Sequence, residues 1–398
     1  MSMTLLLWAL SAGALAAQAG RWRRALSLLE RQAGPVGGKP GPDGAWPPTA
    51  WLLTAARDEA KSLPALAAAL VAQAGAHGAL RPLLVDDGSR DGTADLARRL
   101  LAPWPDAEVL AQPAAGKLAA LDRGLGRILE QADDRDLVLF TDADCRPGTG
   151  WQAAHEAAAA GRAELSCGHV LLDQAPRERG SRAGRFRCFE NAVSSLQAAL
   201  GCALGRPAFA RGANWSARAG ALRRAGGLEG LQHLASGDDV HLVRRLVRTG
   251  VRARFLLEPA SQVWTREAGE PAAAARQARR RYGKLRDLPG AEQWRQGVLF
   301  AALAAQLLLL AGWGLSLRPT AVLPMAVLLS LGWATRDTLR RGFVLLHEQD
   351  LADQIPRLAP WLAWHALRHS LCGALRGYHW RDTVETGPAA GAGRKDTR

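Results

Sequence analysis

Three acidic clusters stand just beyond short apolar runs in the first half of the chain: Arg57-Asp58-Glu59, Asp86-Asp87-Gly88-Ser89 and Asp142-Ala143-Asp144. Asp142 and Asp144 are hard oxygen ligands one residue apart, a type that Mg2+ or Mn2+ accepts while leaving its other positions to phosphate oxygens and water. A cation held there would neutralise charge developing on a departing diphosphate. Such pairs are also common on surface loops, so the spacing alone does not fix the chemistry. Asp58, Glu59, Asp86 and Asp87, at the ends of predicted strands, can accept hydrogen bonds from a base N–H or a ribose hydroxyl, with Gly88 and Gly92 giving room for close approach. The same Asp-Asp-Gly-Ser and Asp-Gly-Thr letters also read as a turn followed by a helix cap at Thr93.

Further along, Ala115-Gly116-Lys117 opens a predicted helix through Ile128, where a lysine and free backbone N–H groups suit an anion such as a pyrophosphate; a solvated lysine is the plainer reading. Gly237-Asp238-Asp239 precedes an Arg-rich helical stretch, Val240 to Arg248. Asp239 is the choice for a base that takes a proton from an acceptor hydroxyl, with Asp238 suited to capping the helix. The run Arg276 to Lys284, with Arg280, Arg281 and Tyr282, suits either a diphosphate or anionic lipid headgroups.

The elements that must position these groups alternate. Trp51 to Ala56 reads as a strand, Leu63 to Gln73 as a helix, Leu83 to Val85 as a strand, Thr93 to Leu101 as a helix, and Leu137 to Phe140 as a strand. This is the pattern of a parallel α/β sheet, whose ligands bind beyond the carboxyl ends of its strands. With 398 residues, 48% of them hydrophobic, the chain can bury a large core. Its formal charge of +14 suits phosphate-bearing or anionic membrane partners. Beyond that charge nothing points to nucleic acid, and none is expected as a partner. The five cysteines have no paired spacing, which excludes a zinc module or a disulfide framework. Cys145, beside the acidic pair, reads as a packing residue.

Residues 1–24 read as an N-terminal membrane anchor, apolar from Met3 to Ala17 and closed by Arg21-Trp22-Arg23-Arg24, although a signal peptide has a similar pattern. A Gly/Pro-rich linker (25–50) and a catalytic domain (51–290) follow. Residues 297–336 hold an uncharged stretch from Val298 to Leu317 and a second apolar run from Ala321 to Ala334, and read as a transmembrane hairpin. Residues 337–386 read as an interfacial helical region and 387–398 as a disordered tail. The positions of the basic residues place the catalytic domain on the cytoplasmic side of a multi-pass protein of the cytoplasmic (inner) membrane.

Taken in order, the motifs resemble those of family 2 glycosyltransferases. They are Ala56-Arg57-Asp58-Glu59, Val85-Asp86-Asp87-Gly88-Ser89 with Asp91-Gly92-Thr93, Ala115-Gly116-Lys117, Thr141-Asp142-Ala143-Asp144, Gly212-Ala213-Asn214 and Ser236-Gly237-Asp238-Asp239. The resemblance implies an α/β GT-A nucleotide-sugar-binding domain, here with flanking transmembrane helices, and inverting transfer from a nucleotide-sugar donor. It implies a Mg2+ or Mn2+ cofactor on Asp142 and Asp144, Asp239 as base, and Asn214 on the acceptor side. It also raises the donor-binding reading of Arg280, Arg281 and Tyr282. UDP is the nucleotide the family mostly uses, with GDP the alternative. The processive Gln-x-x-Arg-Trp motif is absent, since Gln277-Ala278-Arg279-Arg280 runs into Arg281-Tyr282, so polymer synthesis is not expected. The acceptor is expected to be a lipid, a lipid-linked sugar or a glycan at the membrane. The competing reading is a catalytically silent membrane protein that binds a nucleotide or a partner through the same fold.

Overall fold

The computed structural model describes residues 3–33, 46–174, 180–231, 237–266, 290–315, 321–359, 361–362, 378–380 and 383–385. After a long helix α1 (Met3–Gln32), the chain alternates β1 (Thr49–Ala56), α2 (Leu63–Val71), β2 (Ala79–Asp87), α3 (Thr93–Leu100), β3 (Glu108–Gln112), α4 (Lys117–Gln131) and β4 (Leu137–Phe140). The second half adds β5 (Cys145–Pro147), α5 (Trp151–Ala160), β6 (Leu165–Gly168), β7 (Val170–Asp173), α6 (Arg182–Ala203), β8 (Trp215–Arg218), α7 (Ala219–Arg224), α8 (Asp238–Arg248), β9 (Ala253–Leu256) and β10 (Val263–Arg266). It ends in α9 (Gly290–Leu315), α10 (Val322–Leu345), the short α11 (Gln349–Ala352) and a hairpin of β11 (Tyr378–Trp380) and β12 (Thr383–Glu385).

The main sheet has seven strands in the order β3-β2-β1-β4-β8-β6-β9. β1 pairs in parallel with β2 and β4, and β2 with β3, which bears out the parallel half expected from the sequence. β8 then runs antiparallel to both β4 and β6, making the sheet mixed. A smaller sheet has the order β5-β10-β7. Successive side chains of a strand point to opposite faces, so Trp51 and Leu53 of β1 join a core with α4, α6 and α8, while Ala50 and Leu52 join one with α2 and α5. Helix α4 fits the first face because Leu118, Leu121, Leu125 and Ile128 recur at helical spacing and are buried. The side chains of Leu53, Val85 and Leu83 crowd Gly124, leaving no space there for a β-carbon.

The sequence places a membrane anchor in residues 1–24 and a linker from residue 25, but α1 runs unbroken to Gln32, and its Ala25, Leu26 and Leu29 are buried in the catalytic core. The rest of α1 packs with α9 and α10. Gln306 donates to the Ser11 hydroxyl (2.7 Å), Arg23 lies over the Trp333 ring, and Arg341 pairs with Glu30 (2.6 Å). Helix α10 also packs on α6, where Leu196 abuts Gly342 and Phe189 meets Phe343 edge-on. Among the described residues no helix is long and apolar enough to cross a membrane, so flanking transmembrane helices are not supported. The physical reason lies partly in α1, whose second half carries Arg21, Arg23, Arg24 and Glu30 and closes the catalytic core. Of the expected interfacial region 337–386, residues 337–359 are described and hold the end of α10 and α11, while 363–377 and the tail 387–398 lie outside the described residues.

Candidate active site

Because β1, β2 and β4 are parallel, the clusters that follow them collect at one edge of the sheet, with Ala56 level with Asp86. The first two clusters lock together. Asp58 takes a left-handed conformation (φ 55°); its N–H donates to the Ser89 hydroxyl (2.9 Å) and its carboxylate accepts from Arg90 N–H (2.8 Å). Glu59 N–H donates to the Thr93 hydroxyl (2.9 Å) and Ala60 N–H to Asp91 (3.0 Å). Gly92 occupies the position before α3, so Thr93 is not the helix cap its sequence position suggests; its hydroxyl braces the neighbouring loop instead.

The adjacent aspartates have separate roles. Asp87 is almost fully buried and accepts from Gln112 (2.9 Å), Ala115 N–H (2.8 Å) and Gly116 N–H (3.0 Å), with Arg57 4.0 Å away. It fixes the loop that launches α4 and so aims Lys117. Gly88 is required here: its φ is +72° and an added β-carbon would lie 2.8 Å from Ala114 N. Asp86 is 4% exposed; one carboxylate oxygen accepts from Ser89 N–H (3.2 Å), while the other is buried with no hydrogen-bond partner among the described residues. A buried acceptor left unmatched is costly, which marks this oxygen as the one available to a ligand N–H or O–H.

Asp142 and Asp144 lie in the turn between β4 and β5, on opposite sides of the buried Ala143. Donor atoms of Asp142, Asp144 and Cys145 lie within 4.8 Å of one another. Burial, then the charges of Asp142 and Glu59, push the Asp144 carboxyl up to about 6. Burial, then Asp144 and Asp142, raise the Cys145 thiol well above its ordinary value, so Cys145 stays protonated and the two carboxylates are the ligands that fit a hard cation. The Thr141 hydroxyl donates to Ala213 O (2.8 Å), tying this turn to the segment before β8.

Lys117 reaches across the site, its Nζ 2.7 Å from Asp142 Oδ1 and 3.6 Å from Asp238 Oδ1. Burial opposes its charge, but Asp142, Asp238 and Asp239 together outweigh that cost and raise its pKa above the ordinary lysine value. Asp238 and Asp239 open α8 after Gly237, whose φ of +115° suits glycine, and their negative charges complement the positive end of the helix dipole. Asp238 is buried, whereas Asp239 is half-buried beside Gly212. Asp239 O accepts from Ala210 N–H (2.9 Å), so the start of α8 is joined directly to the segment before β8.

Asn214 is fully buried. Its Nδ2 donates to His169 O (2.9 Å) and Ser261 O (3.0 Å), which fixes the amide orientation. Its Oδ1 therefore accepts from Trp151 Nε1 (3.0 Å) and from His155 Nε2 (3.0 Å). His155 then carries its proton on Nε2, and its Nδ1 accepts from Ser166 Oγ (2.8 Å). Burial outweighs the Asn214 bond and lowers the His155 pKa to about 4. With its amide committed to these partners, Asn214 ties α5 to the loops at His169 and Ser261 rather than offering its amide to a ligand. Sequence reasoning missed this network, because His155, Trp151 and Ser261 carry no motif that links them to Asn214. Arg280, Arg281 and Tyr282 lie outside the described residues.

The model of glycosyl transferase family 2 matches residues 52–217, and that of glycosyl transferase family group 2 matches residues 142–337, so the two overlap across the Asp142-Ala143-Asp144 turn. The chain is a family 2 glycosyltransferase. Its mixed sheet, small second sheet and strand-end acidic motifs fit the GT-A fold of that family. Solved structures similar to this glycosyltransferase include the mannosyltransferase PcManGT from Pyrobaculum calidifontis in complex with GDP-Man and Mn2+, at 19% identity and TM-score 0.49, covering 92% of this chain and 99% of that one. S. aureus TarS 1-349 in complex with UDP matches at 13% identity and TM-score 0.41, over 81% of this chain and 89% of that one. GalNAc-T7 with UDP, GalNAc and Mn2+ matches at 11% identity and TM-score 0.39, over 55% of this chain and 44% of that one. No curated protein matches this glycosyltransferase in sequence.

Proposed function

We propose that this glycosyltransferase moves a sugar from a nucleotide-sugar, a UDP-sugar by preference, to a lipid or lipid-linked acceptor by a single displacement that inverts the anomeric carbon. The observation that carries the reading is the shared lysine: Asp142 and Asp238, the latter adjoining Asp239, meet through Lys117. Asp86, with its one unmatched oxygen, receives the nucleoside. Asp142 and Asp144 would hold Mg2+ or Mn2+, which would supply Lewis-acid charge to the donor diphosphate. Asp239 takes the proton of the acceptor hydroxyl as that oxygen attacks from the side of Gly212. Attack opposite the departing diphosphate inverts the carbon. Arg280, Arg281 and Tyr282 are assigned to the donor diphosphate on the motif resemblance.

Membrane association, with the catalytic domain facing the cytoplasm, is part of the same proposal. The helices α1, α9 and α10 expose Leu10 (66%), Leu308 (73%), Leu329 (66%) and Trp333 (62%), while Arg21, Arg24, Arg336 and Arg340 are exposed on the same bundle. Exposed apolar side chains beside basic residues suit insertion among anionic lipids, where a lipid acceptor would be presented.

The test is release of UDP or GDP from a panel of nucleotide-sugars with Mn2+ or Mg2+ and a membrane lipid extract, comparing the wild type with Asp144→Asn. Metal-dependent release that the variant lacks supports the reading. Lack of release with every donor and acceptor would sink it. A glycan acceptor that works equally well without lipid would overturn the lipid assignment alone.

A further inference from the structure

One ammonium group serves two carboxylates that have different duties in the proposed reaction. Lys117 Nζ sits 2.7 Å from Asp142, a ligand of the proposed cation, and 3.6 Å from Asp238, the neighbour of the proposed base. Its side chain is only 18% exposed, and its position is set from behind by Asp87, which holds Ala115 and Gly116 by their N–H groups. A half-buried lysine so paired is held close to both carboxylates. It can, however, shift its weight between two oxygens that are already both within reach.

We infer that Lys117 is a competing internal cation that makes metal binding conditional on the nucleotide diphosphate. The inference rests on the metal reading above. A divalent ion approaching Asp142 and Asp144 meets a positive charge already paired with Asp142, and like charges at this separation repel. A diphosphate changes the balance, because its oxygens give both the ion and the ammonium an anionic partner while Asp238 continues to hold Lys117. Metal and nucleotide thus load together, and an ion alone binds weakly. Lys117 is accordingly a positioning residue that links the donor side of the cleft to the helix that carries Asp239.

The experiment measures Mn2+ affinity of the full chain in detergent by the electron paramagnetic resonance signal of free Mn2+, with and without UDP or GDP. The proteins are the wild type, Lys117→Met and Lys117→Arg, each checked for folding by circular dichroism. Lys117→Met should bind Mn2+ alone about tenfold more tightly than the wild type, as loss of one nearby positive charge implies. The increase in affinity produced by nucleotide should shrink by a similar factor. Lys117→Arg, which keeps the charge, should stay within about threefold of the wild type. Should Lys117→Met not fold, Lys117→Gln carries the same expectation. Neutral variants that bind Mn2+ alone no more tightly than the wild type overturn the inference and leave the metal reading intact. Absence of Mn2+ binding in all variants, with and without nucleotide, overturns both.

Discussion

Gly212 faces Asp239 so closely that a β-carbon added to the glycine would lie 3.3 Å from the Asp239 carboxylate. The contact is tight, and relieving it moves the carboxylate by a few tenths of an ångström rather than unfolding anything. Gly212→Ala is therefore expected to lower kcat about tenfold, since a base misplaced by so little still loses alignment with the acceptor proton. Thermal unfolding should change by less than about 1 kcal/mol. Steady-state kinetics and melting of the same preparation check both parts.

Asp86 combines burial with an unmatched carboxylate oxygen. Asp86→Asn keeps the shape but exchanges an acceptor for a donor on one side. Nucleoside diphosphate affinity should fall by about 10- to 100-fold, in line with the loss of one hydrogen bond to a charged group. Calorimetric titration with UDP, GDP and their Mn2+ complexes reads this directly.

Asp144 trades stability for function. Burial pushes its carboxyl up to about 6 from the ordinary 3.8 of an aspartate. The folded state thus binds the proton more tightly than the unfolded chain, so this contribution is fully present below 3.8 and is lost as pH rises through 6. At pH 7.5 with the metal chelated, Asp144→Asn should be more stable than the wild type by about 1–2 kcal/mol. The difference should vanish near pH 4, and Mn2+ should stabilise the wild type more than the variant. Melting temperatures across pH, with chelator and with Mn2+, decide the matter.

His155 has the opposite sign. Its pKa is lowered to about 4 from 6.5, so the unfolded chain binds the proton more tightly. Stability is full above 6.5 and falls as pH drops toward 4, by up to about 3 kcal/mol. His155→Gln is expected to flatten that slope while lowering stability at neutral pH through disruption of the Asn214 network. A denaturant series between pH 4 and 7 measures the slope.

Much of this arrangement was legible in the sequence because the chemistry sits where strands end. β1, α2, β2, α3, α4, β4 and α8 fall within a few residues of the positions read from apolar runs and punctuating Gly and Asp residues. β3, β5, β6, β7, β9 and β10 are three to five residues long, and their pairing is with distant segments, so no local pattern announced them. Helix α5 is largely alanine, and its burial comes from its neighbours rather than from an apolar stripe. Asp87 and Asn214 show the limit at the site: their residue types suited ligand contact, but partners from remote loops and strands use up their polar atoms. From sequence Lys117 suits a phosphate or, more plainly, solvent, while its carboxylate partners lie on the β4–β5 turn and α8, a juxtaposition only the tertiary fold creates.

The most direct measurement of the central claim separates binding from turnover in Asp239→Asn. A general base typically contributes about 10²- to 10⁴-fold to rate. The account expects the variant to bind the Mn2+–nucleotide complex within about threefold of the wild type, since Asp142, Asp144 and Asp86 are untouched, while sugar transfer falls by at least about a hundredfold. Transfer by Asp239→Asn at close to the wild-type rate would contradict the assignment of the base and with it the proposed reaction at this cleft.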